Sequence, residues 1–230
     1  MGKKIAILQS NYIPWKGYFD LINMVDEFVL FDEVQYTKND WRNRNRIVTN
    51  QGTQWITIPV KQNKLDQLIE DTVVVDARWA KKHWSTVSQN YANTKYFKLY
   101  ASIFEGLYLN AAKECRLSEI NYQFILAIND ILNIKTKIRW SNEFTLKDGK
   151  TEKLAGICVD ANATEYVSGP AAKSYLNEDF FKKSNIEITW MNYSGYPEYE
   201  QLSSDFEHSV SVIDLIFNEG PSARHFMKSF

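Results

Sequence analysis

Lys4-Ile5-Ala6-Ile7-Leu8-Gln9-Ser10-Asn11-Tyr12-Ile13-Pro14-Trp15-Lys16-Gly17-Tyr18-Phe19-Asp20-Leu21-Ile22, followed after five intervening residues by Phe28-Val29-Leu30-Phe31, decides the fold class. Ile5–Leu8 is a short apolar run that stops at polar Gln9, Ser10 and Asn11, the pattern of a buried strand ending in a loop. Pro14 and Gly17 punctuate that loop. From Tyr18 the spacing turns helical, with Phe19, Ile22 and Val25 three apart on one apolar face. Phe28–Phe31 is a second buried strand. Two strands joined by a helix within so short a span predict a right-handed βαβ unit.

Working outward, Trp41–Arg46 is dense in polar groups and reads as a loop. Ile47–Val48 and Gln54–Pro59 pair across the turn Asn50-Gln51-Gly52. Lys61–Gln67 reads as a loop and Thr72–Val75 as a short strand. No proline occurs between Trp79 and Leu132, and helical periodicity there predicts helices over 78–91, 95–112 and 118–132. Strands follow at Lys135–Trp140, Glu165–Ser168 and Ile186–Met191. Helices are expected at Thr151–Asn162, from Gly169-Pro170 through Tyr175, and at Val210–Phe217. Alternating strands and helices predict an α/β fold with a mostly parallel sheet and a Rossmann-like N-terminal βαβ unit. With no linker or repeat, we expect one domain over 1–230, carrying a helical insertion near 78–132.

The net charge of −1 supplies no global field for DNA or other nucleic acid. Cys115 and Cys158 stand apart from each other and from any histidine, and are expected to be reduced, buried and structural in a cytoplasmic protein. Neither a signal-peptide core nor a run of the ~18–20 apolar residues needed to span a membrane is present, so no membrane insertion is expected. HxxxH and HExxH spacings are missing, so no metal site is predicted, and GxSxG, GxGxxG and GxxxxGK[ST] are missing as well.

Open parallel sheets bind ligands in the loops at the carboxyl ends of their strands. Three such loops are polar here. The first carries Gln9, Tyr12 and Gly17, where the glycine permits close backbone approach and the N-terminus of the following helix favours an anion. The second runs from Asp32 through Gln35 and Tyr36 to Trp41-Arg42-Asn43-Arg44-Asn45-Arg46. In an extended segment Arg42, Arg44 and Arg46 share one face and Asn43 and Asn45 the other, and guanidinium forks match phosphate oxygens. The third is Ser168-Gly169-Pro170, a strand end running into a helix start. An ordinary turn, a solvated charged strand and an ordinary helix start are the respective bland alternatives. His83, flanked by Trp79 and Trp84, reads as a satisfied histidine.

The same segments carry a family resemblance. Lys4–Gln9, Tyr12-Ile13-Pro14, Gly17-Tyr18-Phe19, Asp32–Tyr36, Trp41–Ile47, Trp55 with Ile58–Lys61, Tyr166–Pro170 and Ser211–Asn218 resemble the WbqC-like family of bacterial proteins. That resemblance covers nearly the whole chain. It implies a role in polysaccharide or O-antigen synthesis, and in particular transfer of glycine to an amino sugar carried by a nucleoside diphosphate. Such a reaction needs an activated acyl group, from ATP or from a carrier such as tRNA or a thioester. Pro14–Ile22 also has the layout of the nucleotidylyltransferase loop HxGHxxLI, but with Trp15 and Tyr18 at the histidine positions, which implies shared architecture without shared chemistry.

On this reading the expected activity is an aminoacyl transferase acting on a nucleotide-sugar substrate. Arg42, Arg44 and Arg46 bind phosphate; Asn43 and Asn45 orient the sugar or acyl group; Tyr12, Tyr36 and Trp41 form walls. Asp32, at a strand end, is the expected general base. A non-catalytic protein that holds a nucleotide sugar or glycan intermediate is the alternative.

Overall fold

The computed structural model describes residues 2–230. Strand β1 (Lys4–Leu8) buries Ile5, Ala6 and Ile7, which alternate between its two faces. A strand dry on both sides must lie inside a sheet with cover above and below. Helix α1 (Lys16–Asn23) follows, burying Tyr18, Phe19, Leu21 and Ile22, and leads to β2 (Glu27–Leu30). β1 and β2 pair in parallel from Ile5↔Glu27 to Leu8↔Leu30, as the βαβ reading requires.

The chain then leaves the main sheet. β3 (Arg44–Thr49) and β4 (Gly52–Thr57) form an antiparallel hairpin, turned by Gly52 at φ 101°. β5 (Val60–Lys61) and β6 (Val73–Val74) form a second. Three helices come next, α2 (Arg78–Tyr91), α3 (Phe97–Ala111) and α4 (Leu117–Leu132). α4 stops at Asn133, whose left-handed φ of 56° is the usual helix-ending conformation. The remaining elements are β7 (Lys137–Trp140), α5 (Lys150–Asp160), β8 (Glu165–Ser168), α6 (Glu178–Lys183), β9 (Glu187–Trp190) and α7 (Val212–Glu219).

The five main strands lie in the order β7-β2-β1-β8-β9, and every neighbouring pair is parallel. Ala6, Phe28, Leu30 and Val167 face one core with α1, α4 and α7, against which the buried sides of α2 and α3 also pack. Ile5, Ile7, Val29, Phe31 and Tyr166 face a second core with α5 and α6. No helix of the described residues is long and apolar enough to cross a membrane.

Several sequence readings change. Arg44–Arg46 belongs to β3, not to a loop, because Arg44 pairs with Thr57 and Arg46 with Trp55 across the hairpin. The buried residues of this alternation, Asn43, Asn45 and Ile47, include two amides, so polarity masked the strand. Arg42 lies in the preceding turn, outside the extended segment. Lys61 is in a strand, and Thr72–Val75 shrinks to the two residues that pair with β5. Gly169–Tyr175 forms a short 3-10 turn over Pro170–Ser174. Cys115, in the link between α3 and α4, is exposed, whereas Cys158 is buried.

Two buried carboxylates tie distant parts together. Asp20 on α1 accepts hydrogen bonds from the backbone N–H groups of Lys228 and Ser229 and from the Ser229 hydroxyl. Asp214 on α7 accepts from Tyr91 at 2.9 Å, Tyr199 at 2.7 Å and Gln201 at 2.8 Å. Burial pushes the Asp214 carboxyl up to about 6, against the pull of these hydrogen bonds and of Lys16. Between pH 3.8 and about 6, a carboxyl raised in this way on folding is largely protonated in the folded chain and largely ionised in the unfolded one. Its contribution to stability is therefore present below pH 3.8 and is lost as the pH rises to about 6. In urea unfolding at stepped pH, Asp214→Asn should gain stability relative to the wild type across that window and level off above it.

Candidate functional site

In the order β7-β2-β1-β8-β9 the winding reverses between β1 and β8. The chain leaves β1 into α1 on one face of the sheet and leaves β8 toward α6 on the other. The two loops part at the carboxyl ends of the strands, which is where open parallel sheets hold ligands. A cavity of about 720 Å³ opens there.

Its floor is Ile7, Leu8, Gln9, Ser168 and Gly169, from the ends of β1 and β8. Glu33, Gln35, Asp40 and Arg42 enter from the loop after β2. Lys150 and Lys153 enter from the first turn of α5, whose N-terminus adds the positive end of its dipole. Neither lysine forms an ion pair among the described residues, whereas Arg42 pairs loosely with Asp40 at 3.6 Å and donates to the Asn11 side-chain oxygen. One oxygen of Glu33 is buried with no hydrogen-bond partner. The crevice thus holds three cations and a carboxylate with unspent hydrogen-bonding capacity, a combination suited to a phosphate beside a proton-donating group.

Asp32 lies behind this surface. It is 1% exposed and accepts from the Ser10 N–H at 2.8 Å and the Ser10 hydroxyl at 2.6 Å. Asn121 completes the knot, donating to Ser10 Oγ at 3.0 Å and to the Arg42 carbonyl at 2.9 Å. Asp32 therefore links the loop after β1 to the loop after β2 and holds Arg42 in place through Asn121.

The loop after β1 is shaped by strain. Ile13, fully buried, has φ 38°, a left-handed conformation that a β-branched residue rarely adopts. Asn45 clamps it, donating to the carbonyls of Tyr12 at 3.1 Å and Ile13 at 2.8 Å. Gly17 is required next, because a side chain there would collide with the Trp15 indole. Beyond this loop lies a smaller cavity of about 240 Å³, lined by Asn11, Pro14, Trp15, Trp41, Asn45 and Ser209.

The sequence-predicted residues therefore separate. Gln9, Gln35, Arg42, Ser168 and Gly169 meet in the crevice; Trp41 and Asn45 line the smaller cavity. Arg44 stacks over Trp55 at 4.1 Å, and Arg46 pairs with Glu207 at 3.1 Å, so the three arginines do not converge on one point. Asn43 donates to the Ile58 carbonyl inside the hairpin. Tyr12 is wholly buried, its hydroxyl bonded to His83 and Tyr108, and Tyr36 is buried beside Gln67. Burial lowers His83 to about 4, so its imidazole is neutral near pH 7. Glu33, Lys150 and Lys153 escaped the sequence reading. The one signal for the lysines was Asp148-Gly149 ahead of a helical stretch, a helix start with two cations in its first turn.

The model of the WbqC-like protein family matches residues 9–226. The uncharacterized protein Rv1507c of Mycobacterium tuberculosis is 48% identical over 227 residues, covering 98% of each chain. No solved structure matches this chain.

Removing the Asp32 carboxylate leaves the buried Ser10 donors without their acceptor. Asp32→Ala should lower the free energy of unfolding by roughly 1–3 kcal/mol. Urea titration followed by tryptophan fluorescence measures this.

Proposed function

This chain belongs to the WbqC-like protein family, and on that premise we propose that it binds a nucleotide-activated amino sugar in the crevice between β1 and β8 and transfers an aminoacyl group, glycyl in the first instance, to the sugar amine. The observation that carries this reading is the presence of two lysines without ion pairs among the described residues, Lys150 and Lys153, and the incompletely bonded carboxylate of Glu33 in one cavity. Lys150 and Lys153 at the start of α5, with Arg42 opposite, suit the diphosphate. Glu33, one residue past the Asp32 anchor, has a buried oxygen without a partner and suits an amine or ammonium group.

The chemistry required of these residues is modest. The free amine attacks the carbonyl carbon of an activated glycyl group, a C–N bond forms, and the bond to the leaving group breaks. The leaving group is AMP if ATP activates the glycine, or the carrier oxygen or sulfur if tRNA or a thioester delivers it. The proton lost by the amine passes to Glu33. Asp32, with both oxygens engaged by Ser10, keeps the loop that carries Glu33 in register. A net charge of −1 supports a small carrier or ATP over a large polyanion as the acyl source.

A non-catalytic protein that only holds the nucleotide sugar is favoured by one observation: the strand-end carboxylate Asp32 is fully committed to structure. The two readings diverge in one experiment. The purified protein is mixed with a nucleoside-diphosphate 4-amino sugar, glycine and ATP, or with the sugar and glycyl-tRNA, and the sugar is weighed by mass spectrometry. We expect added glycyl mass with the wild type. Glu33→Gln should retain sugar-nucleotide binding and lose transfer, and the paired change Lys150→Ala and Lys153→Ala should weaken binding about tenfold, near 1.4 kcal/mol. Binding without glycyl transfer from any donor would assign the non-catalytic role.

A further inference from the structure

The crevice and the smaller aromatic cavity share a wall. Arg42 lines the first, Asn11 lines the second, and the Arg42 guanidinium donates directly to the Asn11 amide oxygen. That hydrogen bond joins the lining of a cationic chamber to the lining of an aromatic one.

The aromatic chamber is built with care. Trp41 is fixed by its carbonyl, which accepts the Tyr12 N–H at 3.0 Å, and by its ring, which lies 5.3 Å from that of Trp55. It nonetheless remains 38% exposed. Trp15 forms a second wall and is held by Tyr193 and Tyr196 at 5.2 and 5.6 Å. Asn45 is spent on the strained turn at Ile13, so the polar groups left for a ligand are the Asn11 amide N–H₂ and Ser209. At about 240 Å³ the chamber lies below the ~300–1,000 Å³ common for whole small-molecule sites, so it suits one ring system and not an entire ligand.

We infer that this chamber is a nucleobase subsite and that it takes a single-ring, pyrimidine base stacked on Trp41, with Asn11 donating to a base carbonyl. The inference rests on the nucleotide-sugar reading of the crevice and extends it to the base. The ligand would cross the wall at Arg42, with its diphosphate replacing Asn11 and Asp40 as the guanidinium's partner. Its sugar would then enter the larger chamber with Lys150, Lys153 and Glu33. A base is preferred over the sugar here because the unspent carboxylate and the room for a second reactant are both in the larger chamber.

Binding of uridine, uridine 5′-monophosphate, adenosine 5′-monophosphate and inorganic pyrophosphate to the full chain tests this by saturation-transfer NMR and calorimetry. The H5 and H6 protons of uridine and its monophosphate should receive saturation. Trp41→Ala should weaken uridine monophosphate about tenfold, the usual scale of a lost base–aromatic stack, and leave pyrophosphate unchanged. Trp41→Phe, which keeps a ring, should restore most of the loss, and unchanged thermal unfolding of both variants excludes a folding defect. Absence of saturation on H5 and H6, an unaltered response in Trp41→Ala, or equal binding of the adenosine nucleotide overturns the inference. Uridine binding that depends on Trp41 in a protein that ignores pyrophosphate would keep the base subsite and reject the phosphate reading of the crevice.

Discussion

The central strand has no wet side. Ile5, Ala6 and Ile7 are sealed on both faces, so the sheet needs helices above and below, and a chain that must supply both has to change its side of departure somewhere. It does so between β1 and β8, with α1 on one face and α5 and α6 on the other. The parting of the two loops is a geometric result of this demand for apolar cover. The crevice therefore follows from the composition of five residues near the start of the chain. The loops around it must still be held apart, and the buried knot of Ser10, Asp32 and Asn121 does this, spanning three separate elements with hydrogen bonds of 2.6–3.0 Å.

Charge is arranged locally in a chain that is nearly neutral overall. The alternating arginines of Arg42–Arg46 diverge because the strand begins only at Arg44. Arg44 lies on an indole and Arg46 is held by Glu207, whereas Arg42, in the turn, meets the lysines of α5. A long parallel crossover from β7 brings those lysines to the crevice. The positive potential at its mouth is thus assembled from two distant segments and a helix dipole, with Glu33 and Asp40 as counterweights.

Much of the architecture could be read directly. Ile5–Leu8 and Phe28–Phe31 are dense apolar runs, and the helices between Trp79 and Leu132 carry uninterrupted periodicity. Both survive because one physical effect, burial, dominates their pattern. β3 was hidden because its inward residue Asn45, and Asn43 just ahead of it, are asparagines, whose burial is paid for by hydrogen bonds to the backbone that only the folded chain reveals. In the site, Gln9, Ser168 and Gly169 were legible because they follow strands, and Arg42 because it sits in the loop between β2 and β3. Lys150 and Lys153 were not, since their position depends on the crossover and not on their neighbours in sequence. The distinction between Asp32 and Glu33 was beyond pattern reading too: adjacent residues past a strand end point in different directions, and one is sequestered by Ser10 while the next reaches the cavity.

The clasp between Asp20 and the backbone of Lys228 and Ser229 has a bearing on how the molecule comes into being. It joins the helix that follows the first strand to Lys228 and Ser229, some 208 residues further along the chain. Such remote closure is entropically slow to achieve. During translation α1 emerges long before Lys228 and Ser229, so Asp20 has no such partners until both have been synthesised. Until then an aspartate destined for a dry interior lacks the donors that offset its burial, which opposes early docking of α1.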